Sequence, residues 1–137
     1  MSKQTVMSKQ TVNYWLKTSQ HDYKTMLGLF KIKRYSDCLF YGHIVLEKIL
    51  KALVVQKTKK QAPYTHNLLY LTETTKLKLN KNQLDLLDEV NRFNIRTRYP
   101  DIKFEFYQSC DRKYTEEYLK EIKRLYKFLC QKKKQKK

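Results

Sequence analysis

The chain has 137 residues, 41% of them hydrophobic and 31% charged, with two Gly and two Pro. That length suits one domain with a buried core, and so few turn residues exclude a fold of many short strands and favour long helices. Thirty Lys and Arg against 13 acidic residues give +17, a balance that draws anionic partners and puts nucleic acid among the candidate ligands.

Lys3 and Lys9, together with Lys132, Lys133, Lys134, Lys136 and Lys137, carry seven of those charges, so the body of the chain is basic in its own right. A lysine-rich composition also describes many solvated helix faces. Cys38, Cys110 and Cys130 are odd in number and widely spaced, which fits reduced thiols better than a disulfide framework or a zinc knuckle. No apolar run reaches the length of a membrane span and the start lacks the apolar core of a signal peptide, so a soluble, cytoplasmic protein without membrane association is expected.

The first six residues, Met1 to Val6, recur as Met7 to Val12. This reads as a duplicated start or a cloning scar, so residues 1–12 are set apart from the fold, 13–130 form the domain, and 131–137 form a basic disordered tail. Val12, Trp15, Leu16, Tyr23, Met26, Leu27 and Phe30 recur at helical spacing and predict a first amphipathic helix. A second is predicted from Arg34 to Gln56 with Cys38, Leu39, Leu46, Ile49, Leu50 and Leu53 as its stripe. Gly42 within it costs about 1 kcal/mol relative to Ala and permits a close helix crossing. Lys57 to Pro63 reads as a basic loop, and Thr65 as the N-cap of a short helix carrying Leu68, Leu69 and Leu71, with His66 in its first turn.

Asn80 and Gln83 form a capping box for a further helix with Leu84, Leu87, Val90 and Phe93 inward, which Pro100 ends or bends. Asp101 to Cys110 alternates Ile102, Phe104 and Phe106 without an obvious partner strand, and is read as a packed connection. Asp111 caps a last helix whose stripe is Tyr114, Tyr118, Ile122, Leu125 and Leu129, with Glu116 and Glu117 near the positive end and Lys123, Arg124 and Lys127 near the negative one. The expected fold is all-α, an antiparallel up-and-down bundle of four to five helices.

Arg92, Arg96 and Arg98 are the densest arginine group. Arg92 and Arg96 share a helical face, and the guanidinium of Arg98 near the helix end can grip a phosphate or a carboxylate with two hydrogen bonds. Asn91 and Asn94 add amides beside them, Asn91 on the face of Asn94 and Arg98. The plain alternative is an ion-pair network with Asp88, Glu89 or Asp101. Glu47, a carboxylate in an apolar helix, is read either as a buried partner for an arginine on a facing helix or as one half of a helix-edge pair. His66 is a ligand or RNA contact, or else a capping residue. His21 and His43 lack metal-ligand spacing, so no metal is expected, and with only Gly28 and Gly42 no glycine-rich phosphate loop exists, so no cofactor is expected either.

Three segments in order carry a family resemblance. Leu46-Glu47-Lys48-Ile49-Leu50-Lys51-Ala52-Leu53, then Thr65-His66-Asn67-Leu68 and then Thr97-Arg98-Tyr99-Pro100-Asp101 resemble the glutamate-lysine helix, the THDL turn and the RYPD segment of small prokaryotic HEPN domains. A first helix with Trp15 and Asp22 precedes them, and the similarity spans roughly Asn13 to Leu129. Asn67 stands where the family usually has aspartate. The resemblance implies a helical bundle, frequent homodimers, nucleotide or RNA biology, and a nucleotidyltransferase-like protein partner in a toxin–antitoxin or defence module. The family's ribonucleases carry an arginine followed after four to six residues by a histidine. Here Arg34 and His43 are separated by eight residues and all other arginines follow His66, so that signature is absent.

The functional expectation is therefore a nucleotide-, RNA- or partner-binding protein that is not an enzyme. Arg92, Arg96, Arg98, Asn91 and His66 are its ligand-binding candidates, Tyr99 is available for stacking, and Glu47 and Asp101 are structural polar residues. One alternative is a divergent metal-independent ribonuclease using Arg98, Tyr99 and His66. Another is a non-catalytic helical scaffold whose charge serves solubility.

Overall fold

The computed structural model describes residues 3–134, with side chains from 8 to 133; the predicted tail lies outside it at 135–137. Among the described residues every regular element is a helix: α1 (Lys3–Lys31), α2 (Tyr35–Thr58), α3 (Leu68–Thr75), α4 (Lys81–Arg98), α5 (Pro100–Ser109) and α6 (Arg112–Lys134). The all-α bundle expected from the sequence is present, with six helices in place of four to five. Helix α1 runs back through the second copy of the duplicated hexapeptide, and α6 runs through the first residues assigned to the tail.

Helix α2 is the axis of the fold. Its buried residues, among them Cys38, Leu39, Val45, Leu46, Ile49, Leu50 and Val54, occur on every side, because α1, α3, α4, α5 and α6 all pack against it. Its sequence reads accordingly, apolar almost all round rather than on one stripe. Helices α1 and α2 form an antiparallel hairpin. The Ser8 hydroxyl donates to the Lys59 carbonyl at one end, Asp22 pairs with Lys48 midway and Phe30 packs on Tyr35 at the other.

Gly42 makes the close crossing expected of it: a Cβ there would stand 2.7 Å from Ile122 Cδ1 of α6. One turn further along α6, the Ser19 hydroxyl hydrogen-bonds Tyr126 at 3.1 Å and Tyr23 stacks on the same ring. Leu68, Leu71, Leu87, Val90, Phe93, Ile122 and Leu129 complete the buried core.

Several local expectations are corrected. The N-cap of α3 is Asn67, whose Oδ1 accepts from the Leu69 and Tyr70 amides. Thr65 instead accepts from the Asn67 amide, and His66 precedes the helix. On α4, Leu86 is buried where Leu84 was expected, and Leu84 is exposed. The segment read as a packed connection is the helix α5, begun by Pro100 at its first position, where the missing N–H costs nothing. Of its alternating apolar residues only Phe106 is buried, while Ile102, Phe104 and Tyr107 are exposed. The capping box of Asn80 and Gln83 and the Asp111 cap of α6 form as expected.

Candidate functional site

Glu47 and Lys48 are neighbours in sequence and about 100° apart around α2, so they serve different faces. Lys48 Nζ reaches Asp22 Oδ2 of α1 at 2.6 Å. Glu47 points toward the chain that enters α3 and accepts from His66 Nδ1 at 2.9 Å and from Lys51 Nζ at 2.9 Å. Lys51 also lies over the Trp15 ring, so Trp15 and Asp22 of α1 hold Lys51 and Lys48 respectively. Among the described residues no arginine reaches Glu47; the carboxylate is met by His66 and Lys51, with His43 Nδ1 a further 3.7 Å from Oε1, and two of these three come from its own helix.

His43, one turn before Glu47, is fully buried. Its Nε2 donates to the His66 carbonyl at 2.7 Å, and its Nδ1 accepts from Asn94 Nδ2 at 3.4 Å. Burial lowers the pKa of this imidazole below its ordinary 6.5, and the nearby charges of His66 and Arg98 act in the same direction. The His66 carbonyl and Glu47 oppose them, and burial prevails. A neutral ring with its proton on Nε2 satisfies both hydrogen bonds. His43 therefore fixes the backbone of His66 while Glu47 fixes its ring. With Nδ1–H held by Glu47, His66 Nε2 is left for whatever approaches from solvent, where over half of its side chain is exposed.

Helix α4 closes the site from the other side with the face that Asn91, Asn94 and Arg98 share. Asn91 Oδ1 accepts from the Leu68 amide at 2.9 Å and its amide group donates to Asn67 Oδ1 at 3.1 Å. Asn67 Oδ1 thus receives three donors, two from α3 and one from α4, and locks the α3 entrance onto α4. Asn94 is buried on His43. Arg98, the last residue of α4, is exposed, and no carboxylate lies within ion-pair distance of it among the described residues. It is followed by Tyr99, exposed at the junction of α4 and α5.

The other two arginines are already engaged. Arg92 pairs with Asp88 at 3.0 Å and Glu89 at 2.9 Å, and Arg96 pairs with Glu89 at 3.2 Å and lies over the Phe106 ring. The ion-pair network weighed for this cluster forms with Asp88 and Glu89. Asp101 stands exposed in the first turn of α5. The structure therefore brings together His66, Asn91, Asn94 and Arg98 with Glu47, and adds His43 and Asn67, which the sequence reading did not place in the site. The signal for His43 was available: it is four residues before Glu47 and so on the same helical face.

Among the described residues no group of three His, Cys, Asp or Glu side chains is arranged to hold a metal ion, and no helix is long and apolar enough to cross a membrane. A family model described as HEPN domain matches residues 12–134. A crystal structure of TT1696 from Thermus thermophilus is similar with a TM-score of 0.74 at 21% identity, covering 88% of this chain and 97% of that one. That likeness is one of fold. Among curated proteins no relative matches the chain.

Proposed function

The chain belongs to the HEPN domain family, and from that premise we propose that it is a nucleotide- or RNA-binding protein whose contact face is formed by Arg98, His66, Asn91 and Tyr99. The observation that carries this reading is the contrast among the arginines. Arg92 and Arg96 are neutralised by Asp88 and Glu89, whereas Arg98 is exposed without a carboxylate partner among the described residues, on the α4 face whose Asn94 meets His43. A guanidinium so placed can take a phosphate through two parallel hydrogen bonds. His66 Nε2 can meet a second oxygen or a ribose hydroxyl, and the Tyr99 ring can stack on a base.

The same reading places the protein in the cytoplasm beside a nucleotidyltransferase-like partner, as one component of a toxin–antitoxin or defence module, and as a homodimer. Support for self-association comes from α5, which exposes Ile102, Phe104 and Tyr107 next to Tyr99. Aromatic residues collected on one short helix are the surface chemistry of an interface.

A second reading has its own observation. A carboxylate that holds Nδ1–H of a histidine and leaves Nε2 outward is the orientation used by general bases. Glu47 and His66 have it, with Arg98 as a cation to stabilise a pentavalent phosphorane. This supports a metal-independent ribonuclease in which His66 Nε2 takes the proton of the RNA 2′-hydroxyl as its oxygen bonds to phosphorus, the P–O5′ bond breaks to leave a 2′,3′-cyclic phosphate, and the departing 5′-oxygen takes a proton from water.

One experiment separates the two: labelled single-stranded RNA titrated with the intact protein in the presence of a chelator, followed both for binding and for strand integrity. Binding of intact RNA that weakens in Arg98→Ala and persists in Arg92→Ala is the expected result. Cleavage abolished by His66→Ala would establish the second reading, and unchanged binding in Arg98→Ala would overturn the first.

A further inference from the structure

Away from Arg98, the ends of four helices surround a groove of about 1010 Å³. Six lysines line it. Lys57 stands in the last turn of α2, Lys59 and Lys76 are the C-caps of α2 and α3, Lys132 and Lys133 come from the end of α6, and Lys9 comes from α1. No Asp or Glu is among the described lining residues. Part of this charge answers the helix ends themselves. The C-termini of α2, α3 and α6 each present about half a negative charge, about 1.5 together. Lys57, Lys76, Lys132 and Lys133 exceed that without the other two lysines.

The floor differs from the wall. Val12 of α1, Leu53 of α2 and the half-buried Leu77 after α3 give it an aliphatic strip, beside the buried hydroxyls of Ser8 and Thr75. RNA and single-stranded DNA are bound by aromatic rings and guanidinium planes that stack on bases, and the described lining residues include neither. A cationic rim over an aliphatic strip is complementary to a helix with carboxylates on one face and leucine-like residues on the other.

We propose that this groove is a protein-docking site for an acidic amphipathic helix of a partner protein, separate from the Arg98 face. The partner's apolar stripe lies on Val12, Leu53 and Leu77, and its carboxylates pair with Lys57, Lys76, Lys132 and Lys133. The groove's ammonium point charges, rather than guanidinium forks, accept carboxylates in many geometries, so recognition rests on pattern more than on one fixed contact.

The test uses the full chain and a fluorescein-labelled helical peptide built only of glutamate and leucine, with leucines three and four apart. A scrambled peptide of the same composition and a single-stranded RNA serve as comparison probes, all read by anisotropy. The patterned peptide should bind about tenfold more tightly than the scrambled one, a difference of about 1.4 kcal/mol. Lys57→Glu combined with Lys133→Glu, two surface changes whose folding is checked by melting temperature, should abolish that preference. Leu77→Asp should do so by wetting the floor. Arg98→Ala should leave it intact, so loss of the RNA-binding reading and loss of this one are distinguishable. Equal affinity for the two peptides, an unchanged preference in the lysine variant, or displacement of the peptide by RNA would each overturn the proposal.

Discussion

His43 is the residue on which the site's geometry turns, since it is buried and holds the His66 backbone. Its pKa in the folded chain lies below 6.5 because burial disfavours the imidazolium. As pH falls, the unfolded chain takes up this proton first, so the unfolded state binds more protons in that window. The stability His43 contributes is therefore complete above about 6.5 and is lost as pH drops from there toward the folded value, at no more than about 1.4 kcal/mol per pH unit. The urea midpoint of the wild type should fall between about pH 7 and about pH 5 more steeply than that of His43→Gln, which keeps a donor and cannot charge. Parallel pH profiles for the two proteins would show that His43 is not the group responsible.

Cys38 and Cys110 make a second residue-scale case. Burial pushes both thiols up to about 12, and only thiolate is nucleophilic. Both should resist a disulfide reagent at neutral pH in the native protein and react at once in denaturant. Fast native labelling of either would contradict the packing described around them.

At the scale of elements, the two glycines predict opposite outcomes. Gly28 is exposed on α1, where an added Cβ meets nothing within 4 Å, while at Gly42 it would stand 2.7 Å from Ile122 Cδ1. Gly28→Ala should stabilise by about 0.4–1 kcal/mol through the unfolded chain. Gly42→Ala gains similar helix propensity but must displace a fully buried side chain, and overpacking of about 1–3 kcal/mol should prevail. Ile122→Val removes the offending Cδ1, so the double variant should recover much of the loss, a coupling that chemical denaturation of the four proteins measures directly.

The same scale shows what was legible in the sequence. The helices of strong periodicity, α1, α2, α4 and α6, and their polar caps at Asn80 and Asp111 could be read because period and capping are local properties. The helix α5 could not: Ile102, Phe104 and Phe106 alternate as a strand would, and only its place on the outside of the bundle makes an exposed Phe104 compatible with a helix. The turns were legible only in part: the loop read over Lys57 to Pro63 is present from Lys59, after α2 has run on through Lys57 and Thr58. Lys33, Lys59 and Lys76 occupy left-handed backbone, with φ of 65°, 62° and 61°, positions where glycine is the usual signal and lysine gives none.

For the whole molecule, the candidate site exists because α2, the α3 entrance and α4 meet. The sequence indicated the α4 face of Asn91, Asn94 and Arg98 through helical spacing. It could not show that His43 and Glu47, about fifty residues earlier, lie against that face, because long-range packing decides it. The pairing of Arg92 and Arg96 with Asp88 and Glu89 is local to α4 and stood in the sequence as the plain alternative to a ligand site. The homodimer proposed on the exposed aromatic face of α5 is tested at this scale: if it forms there, Phe104→Glu should leave the melting temperature of the fold nearly unchanged while shifting sedimentation from dimer toward monomer. Identical sedimentation of the variant and the wild type would remove α5 from the interface.

The most direct test of the central reading is the salt dependence of RNA affinity for the wild type and Arg98→Ala, with Arg92→Ala as the comparison. If Arg98 takes a phosphate, its removal should weaken single-stranded RNA binding several-fold and flatten the log–log salt slope by about 0.7, the share of one neutralised phosphate, while Arg92→Ala changes neither appreciably. A slope and affinity in Arg98→Ala equal to those of the wild type would contradict the account, and would move the RNA contact to the lysines at the other end of the bundle.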